Sequence, residues 1–139
     1  MLPLLRIATD GPGLYDFTVD VARLVEARGG SGTVTLFVQH TSCSLVIQEN
    51  ADPEVQTDLQ AFFSRLVPPS DHPDMAYLRH TYEGPDDMPA HIKAAILPVS
   101  ITIPTYNGKL MLGTWQGIYL FEHRTAPQHR KVVLAFSGG

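Results

Sequence analysis

Six histidines stand in a chain of 139 residues, and three of them fall where the chain is expected to change direction. His40 ends a β-like run, His80 lies in a long polar stretch, and His91 opens a short helical pattern. Three imidazoles brought from separate segments are a known way to hold zinc or iron with one coordination position left for a reactant. The spacing matches no recognised metal motif, and the same three residues equally suit isolated surface or hydrogen-bonded histidines.

Carboxylates and cations gather near these positions. Glu49-Asn50-Ala51-Asp52 sets two carboxylates and an amide between a strand and a helix start, where they could take a hard cation such as magnesium or act as acid and base. Asp52 followed by Pro53 is also a strong helix cap. Glu83, Asp86 and Asp87 form an acidic turn between His80 and His91, suited to orienting imidazoles or to capping the next helix through Asp87. Arg79 and Lys93 flank the histidines and would serve an anionic, phosphate-bearing substrate. For Arg130 and Lys131 a solvated strand edge is expected. The run His40-Thr41-Ser42-Cys43 invites a nucleophile, but no glycine elbow accompanies it, and Cys43 reads better as a small buried hydrophobe. Trp115 reads as a core or subunit contact within a glycine-interrupted segment that also offers Thr114 and Gln116.

These groups need elements to hold them. Strands are expected at about 14–17, 33–39, 44–49, 99–103, 109–112, 117–122 and 131–136, from β-branched content and alternation. Helices are expected over about 19–28, capped by Thr18, from Asp52-Pro53 to about 66, and over about 89–96. Asn107-Gly108 marks a tight hairpin. Residues 67–87, with four prolines, read as a long loop of the kind that often carries function. The sum is an α+β, β-rich domain spanning 1–139: a two-sheet sandwich of short, mostly antiparallel strands with two or three helices on an outer face.

Composition narrows the function classes. At 44% hydrophobic residues the chain can build one real core, and a net charge of −4 speaks against a nucleic-acid partner. No apolar run is long enough for a membrane span, no signal peptide opens the chain, and a single cysteine suits a reducing, cytoplasmic compartment.

Taken together, His40-Thr41-Ser42, Ile47 to Pro53, Asp86 to Lys93, and Leu112-Gly113-Thr114-Trp115-Gln116-Gly117-Ile118 resemble the YjbQ family, also called UPF0047. The resemblance runs from about residue 14 to 137 and fades over the first twelve residues. It implies a small cytoplasmic β-rich protein that forms homotrimers. It also implies a thiamine-phosphate synthase side activity, joining hydroxymethylpyrimidine diphosphate to thiazole phosphate with release of diphosphate. The motif positions carried over are His40, Glu49, Asn50, Asp52, His80, Asp86, His91, Lys93, Thr114 and Gln116. On the enzyme reading, His40, His80 and His91 hold a divalent metal (zinc or similar, with magnesium an option), and Glu49, Asp86 and Lys93 do the chemistry. Arg79, Asn50, Asp52, Thr114 and Gln116 then bind the substrate. The other reading uses the same pocket as a regulatory module that binds a phosphorylated or heterocyclic metabolite without turning it over, and a purely structural trimer is the third.

Overall fold

The computed structural model describes residues 1–139 and divides its strands between two antiparallel sheets. The larger sheet joins β1 (Leu4–Thr9), β8 (Gln128–Ser137), β3 (Gly32–Val38), β5 (Ser100–Tyr106) and β6 (Lys109–Leu110), in that order. The smaller joins β2 (Gly13–Asp16), β7 (Gln116–Glu122) and β4 (Cys43–Glu49). The expected sandwich of short antiparallel strands is what forms, with three helices: α1 (Thr18–Arg28), α2 (Pro53–Leu66) and α3 (Asp87–Ile96).

Alternation along the strands builds the core. Val34, Leu36 and Val38 of β3 face Leu45 of β4 and Ile118 and Leu120 of β7, with Val132, Leu134 and Ile103 closing the layer. Helix α1 adds Val21 and Val25. Central strand β7 is buried on both sides, because its alternate residues Tyr119 and Phe121 meet α2 through Gln56 and Phe63. Helix α2 therefore packs on the outer face of the small sheet, and α3 lies along β4.

Local chemistry follows the sequence at several points. Asp52 caps α2 by accepting a hydrogen bond from the Glu54 N–H at 2.9 Å. Asn107 and Gly108 take positive φ angles of 49° and 75° and join β5 to β6 in a two-residue hairpin.

Three expectations need correction, one is narrowed, and one strand is new. Thr18 does not cap α1; Asp16 accepts from its N–H, while the Thr18 hydroxyl accepts from the Ile118 N–H of β7. Asp87 is the first residue of α3 rather than its cap, and its carboxylate is turned into the protein. Residues 4–9, where no strand was expected, form β1, whose residue types do not alternate although its burial does. Arg130 is buried rather than a solvated edge residue, because β8 sits between β1 and β3. Trp115 is exposed, which removes the core half of its reading and leaves the subunit contact open. No helix is long and apolar enough to cross a membrane.

Candidate metal and substrate site

Asp87 and His91 are four residues apart on α3, so they stand one above the other on one helix face. The loop before the helix brings His80 over the same carboxylate. One ligand atom from each of His80, Asp87 and His91 lies within 4.8 Å of the others. Asp87 is 3% exposed and fully engaged: Oδ2 meets His80 Nε2 at 2.9 Å, and Oδ1 meets Arg124 at 2.8 Å and His91 Nε2 at 3.3 Å. His80 Nε2 also approaches Glu83 Oε2 at 2.7 Å. The same guanidinium bonds Asp86 through Nε at 2.8 Å, so Arg124 braces both acidic residues at the head of α3.

One detail fixes the chemistry of His91. Its Nδ1 lies 2.8 Å from the Thr41 carbonyl oxygen, which can only accept, so Nδ1 carries a proton. A neutral ring then has its lone pair on Nε2, aimed at a carboxylate oxygen. Two acceptors face each other unless a cation, either a proton or a metal ion, stands between them. This backbone-oriented imidazole is the arrangement that metal-binding histidines adopt.

His40 stands apart from this group. Its Nε2 accepts from the Lys131 N–H at 2.9 Å, and burial with the nearby Arg130 charge lowers its pKa. It shares with His91 a recess of about 520 Å³ walled by Phe37, Val38, Ala94 and Val99. The structure thus brings together two of the three expected histidines and adds Asp87, whose i, i+4 spacing to His91 was the available clue. Asp86 borders this cluster through Arg124, while Arg79 is exposed beside His80.

The other expected residues lie elsewhere. Glu49 is at the far end of β4 from Cys43, six residues or about 20 Å along the strand. There it accepts from the N–H groups of Ala51 and Asp52 at 3.1 and 2.9 Å, as a brace for the turn into α2. Asn50 donates to the Gln116 carbonyl, and the Gln116 side chain accepts from the Gly113 N–H. Thr114 is exposed in the same turn. Lys93 is two residues beyond His91, roughly 200° around the helix, and so belongs to the opposite face of α3.

A second polar group escaped the sequence reading. Glu122 and Arg130 form a fully buried ion pair joined by the Thr9 hydroxyl and the Ser42 side chain and carbonyl. Burial alone would raise the Glu122 pKa, but the hydrogen bonds from Arg130 and Thr9 outweigh it and hold the carboxyl low. His123 sits beside this pair with Nε2 against the Ser44 hydroxyl at 2.9 Å, and burial, reinforced by the Lys93 charge, pushes its pKa down to about 3. Cys43 is enclosed too, and burial raises its thiol to about 12.

Comparison with known proteins places the whole chain. The family model described as UPF0047 protein YjbQ-like matches residues 4–139. UPF0047 protein sll1880 of Synechocystis is 50% identical over 136 residues, covering 97% of this chain and 90% of that protein. UPF0047 protein YugU of Bacillus subtilis is 36% identical over 99% of this chain and all of its own length. A conserved hypothetical protein of Thermus thermophilus superimposes with a TM-score of 0.85 at 32% identity, over 98% of this chain and all of that one. A YjbQ/UPF0047 family protein of Clostridium acetobutylicum gives 0.84 at 33% identity, with the same coverage. With the family model and these relatives matching along nearly the whole chain, and with the same sandwich fold, the chain belongs to the UPF0047 YjbQ-like family.

Proposed function

We propose that the protein is a divalent-metal-dependent transferase acting on a phosphorylated heterocycle, with thiamine-phosphate synthase chemistry as the reaction to test first. The observation that carries this reading is His91: a lone pair held on Nε2 by the Thr41 carbonyl and facing the Asp87 carboxylate at 3.3 Å. Two imidazoles and a carboxylate are a common ligand set for zinc and for other divalent ions with open positions. When bound, such an ion supplies charge neutralisation for a departing diphosphate.

The chain's own residues do the rest. The recess beside His91 has the apolar walls a flat heterocyclic ring requires, and His40 lies at its side. Arg124 holds the Asp87 carboxylate in its orientation by donating to Oδ1. In the reaction, the thiazole nitrogen forms a bond to the pyrimidine methylene carbon. The carbon–oxygen bond to diphosphate breaks, and diphosphate leaves with the electron pair. No protein nucleophile is needed, in keeping with a Cys43 thiol that burial holds protonated. The exposed apolar residues Phe37 and Ile96 near the recess, with Phe62, Leu66 and Trp115 elsewhere, support contact between subunits, and the family resemblance is what makes a homotrimer the assembly to test.

Elemental analysis of tag-free protein tests the metal reading. About one zinc or similar ion per chain is expected, and its loss in His91→Ala. Absence of metal from both overturns it. A turnover assay with hydroxymethylpyrimidine diphosphate, thiazole phosphate and the identified ion then tests the reaction. Metal without turnover leaves a metabolite-binding module in its place. Light scattering at micromolar concentration reads the oligomer, and a monomer there rejects the trimer.

A further inference from the structure

The opposite face of α3 carries a recess that the histidine cluster does not use. It measures about 150 Å³ and lies between α2, the head of α3 and the end of β7, with Gln60, Ser64, Asp86, Lys93, His123 and Thr125 among its walls. Asp86, Pro89 and Lys93 follow helical spacing along this face.

Lys93 makes this recess unusual. The residue is 9% exposed, yet its ammonium enters no ion pair and no hydrogen bond with the protein. The nearest opposing charge, Asp86, is committed elsewhere: its Oδ2 takes the Arg124 Nε at 2.8 Å, the Thr125 N–H at 2.9 Å and the Thr125 hydroxyl at 3.2 Å. The stem of Lys93 is covered, while the ammonium, with no protein partner, stays accessible where the side chain lines the recess. Apart from Asp86, whose charge Arg124 offsets, the polar neighbours are neutral groups that can address an anion. Ser64 accepts from Gln60 Nε2 at 3.4 Å, which leaves its hydroxyl proton free to donate. His123 uses Nε2 toward Ser44, which leaves Nδ1 available.

We propose that this recess is an anion site, with Lys93 as the counter-charge and Ser64 as a rim donor, built for the phosphoryl end of a phosphate monoester. A tetrahedral dianion suits it better than a carboxylate, because several oxygens can meet the ammonium, the hydroxyl and the amide at once. The volume admits one such group with a few attached atoms, and not a nucleotide. The site is independent of the metal reading, since His91 points from the other side of the helix.

Inorganic phosphate is the probe, titrated calorimetrically into chelator-treated full-length protein so that no metal can recruit it. Saturable binding is expected, weakened about tenfold or more in Lys93→Met. His91→Ala should bind as the parent does. Lys93→Arg should retain part of the affinity. Ser64 is exposed on α2, so Ser64→Glu is expected to fold normally and to exclude phosphate by repulsion, which keeps the question answerable if Lys93→Met is unstable. Undiminished binding in both Lys93→Met and Ser64→Glu overturns the proposal. So does loss of binding in His91→Ala with Lys93→Met intact, or no binding by the parent. Acetate that competes as well as phosphate overturns the phosphoryl assignment.

Discussion

At the scale of single residues, the buried pair Glu122–Arg130 is the strongest constraint on sequence. Both charges are withdrawn from water, and each is tolerated because the other completes its hydrogen bonding, with Thr9 and Ser42 taking the remaining directions. Replacing Arg130 by Met strands the Glu122 carboxylate, so a loss of about 3–5 kcal/mol in urea unfolding is expected. The double replacement Glu122→Leu with Arg130→Met should recover most of that loss, because no charge is left uncompensated. An Arg130→Met variant as stable as the parent contradicts the pairing argument. Cys43 makes a second prediction at this scale. With its thiol pushed up to about 12 and its side chain enclosed, it should resist a thiol reagent at pH 7 in the folded protein and react promptly in urea. Rapid labelling of the native protein would contradict that.

At the scale of elements, α3 organises the functional surface by simple helical geometry. Asp87 and His91 fall on one face and Asp86, Pro89 and Lys93 on the other, so a ten-residue helix serves two different pockets. Its start is braced by Arg124 from the segment after β7, which replaces a side-chain cap. Arg124→Met should therefore release Asp87 and lower metal retention, read as ions per chain after dialysis, while unfolding stays cooperative. The entry to α2 depends on a more ordinary device. Asp52→Ala removes the hydrogen bond to the Glu54 N–H and should cost about 1 kcal/mol. Glu49→Ala removes two hydrogen bonds from the same turn and should cost a similar amount, with metal content unchanged. A loss of metal in Glu49→Ala would assign that carboxylate to the site after all.

At the scale of the whole molecule, buried titratable groups set the response to acid. His123 is neutral in the fold, with its pKa pushed down from 6.5 to about 3, while in the unfolded chain it takes a proton near its ordinary value. Its contribution is complete above about pH 6.5 and is lost progressively as pH falls toward 3. Glu122 and Asp86, held below their ordinary carboxylate values, act in the same direction at lower pH: their contribution is present above the unfolded pKa and disappears as pH falls through the folded one. Urea midpoints should thus be level from about pH 7 to 8 and fall steadily below pH 6.5, by an amount on the order of a few kcal/mol. His123→Gln should flatten the part of the curve between pH 6.5 and 4.5. An unchanged slope in that variant would mean that His123 is not the group responsible.

Much of this was legible in the residues alone, and the reasons are local. Strand alternation in β3, the Asp52-Pro53 start of α2 and the Asn107-Gly108 turn each depend on neighbours in the chain, so spacing and residue type determine them. The same holds for the clustering of histidines and carboxylates between His80 and His91, because an i, i+4 pair meets wherever a helix forms. Other features need contacts across long stretches of sequence. Strand β1, LLRIAT, does not alternate apolar and polar residues in sequence and takes its inward-outward alternation from pairing with β8; Arg130 is buried because β1 and β3 flank β8. Glu122 finds Thr9 across 113 residues, and Thr41 orients His91 across 50. His40 leaves the histidine group because β8 supplies its hydrogen bond from Lys131, and Lys93 leaves it because a helix turns about 100° with each residue. The residues themselves determined which chemical groups were available and which elements would carry them. Only the tertiary structure decided which groups meet, because strand register and helix rotation are set by the packing of the whole core.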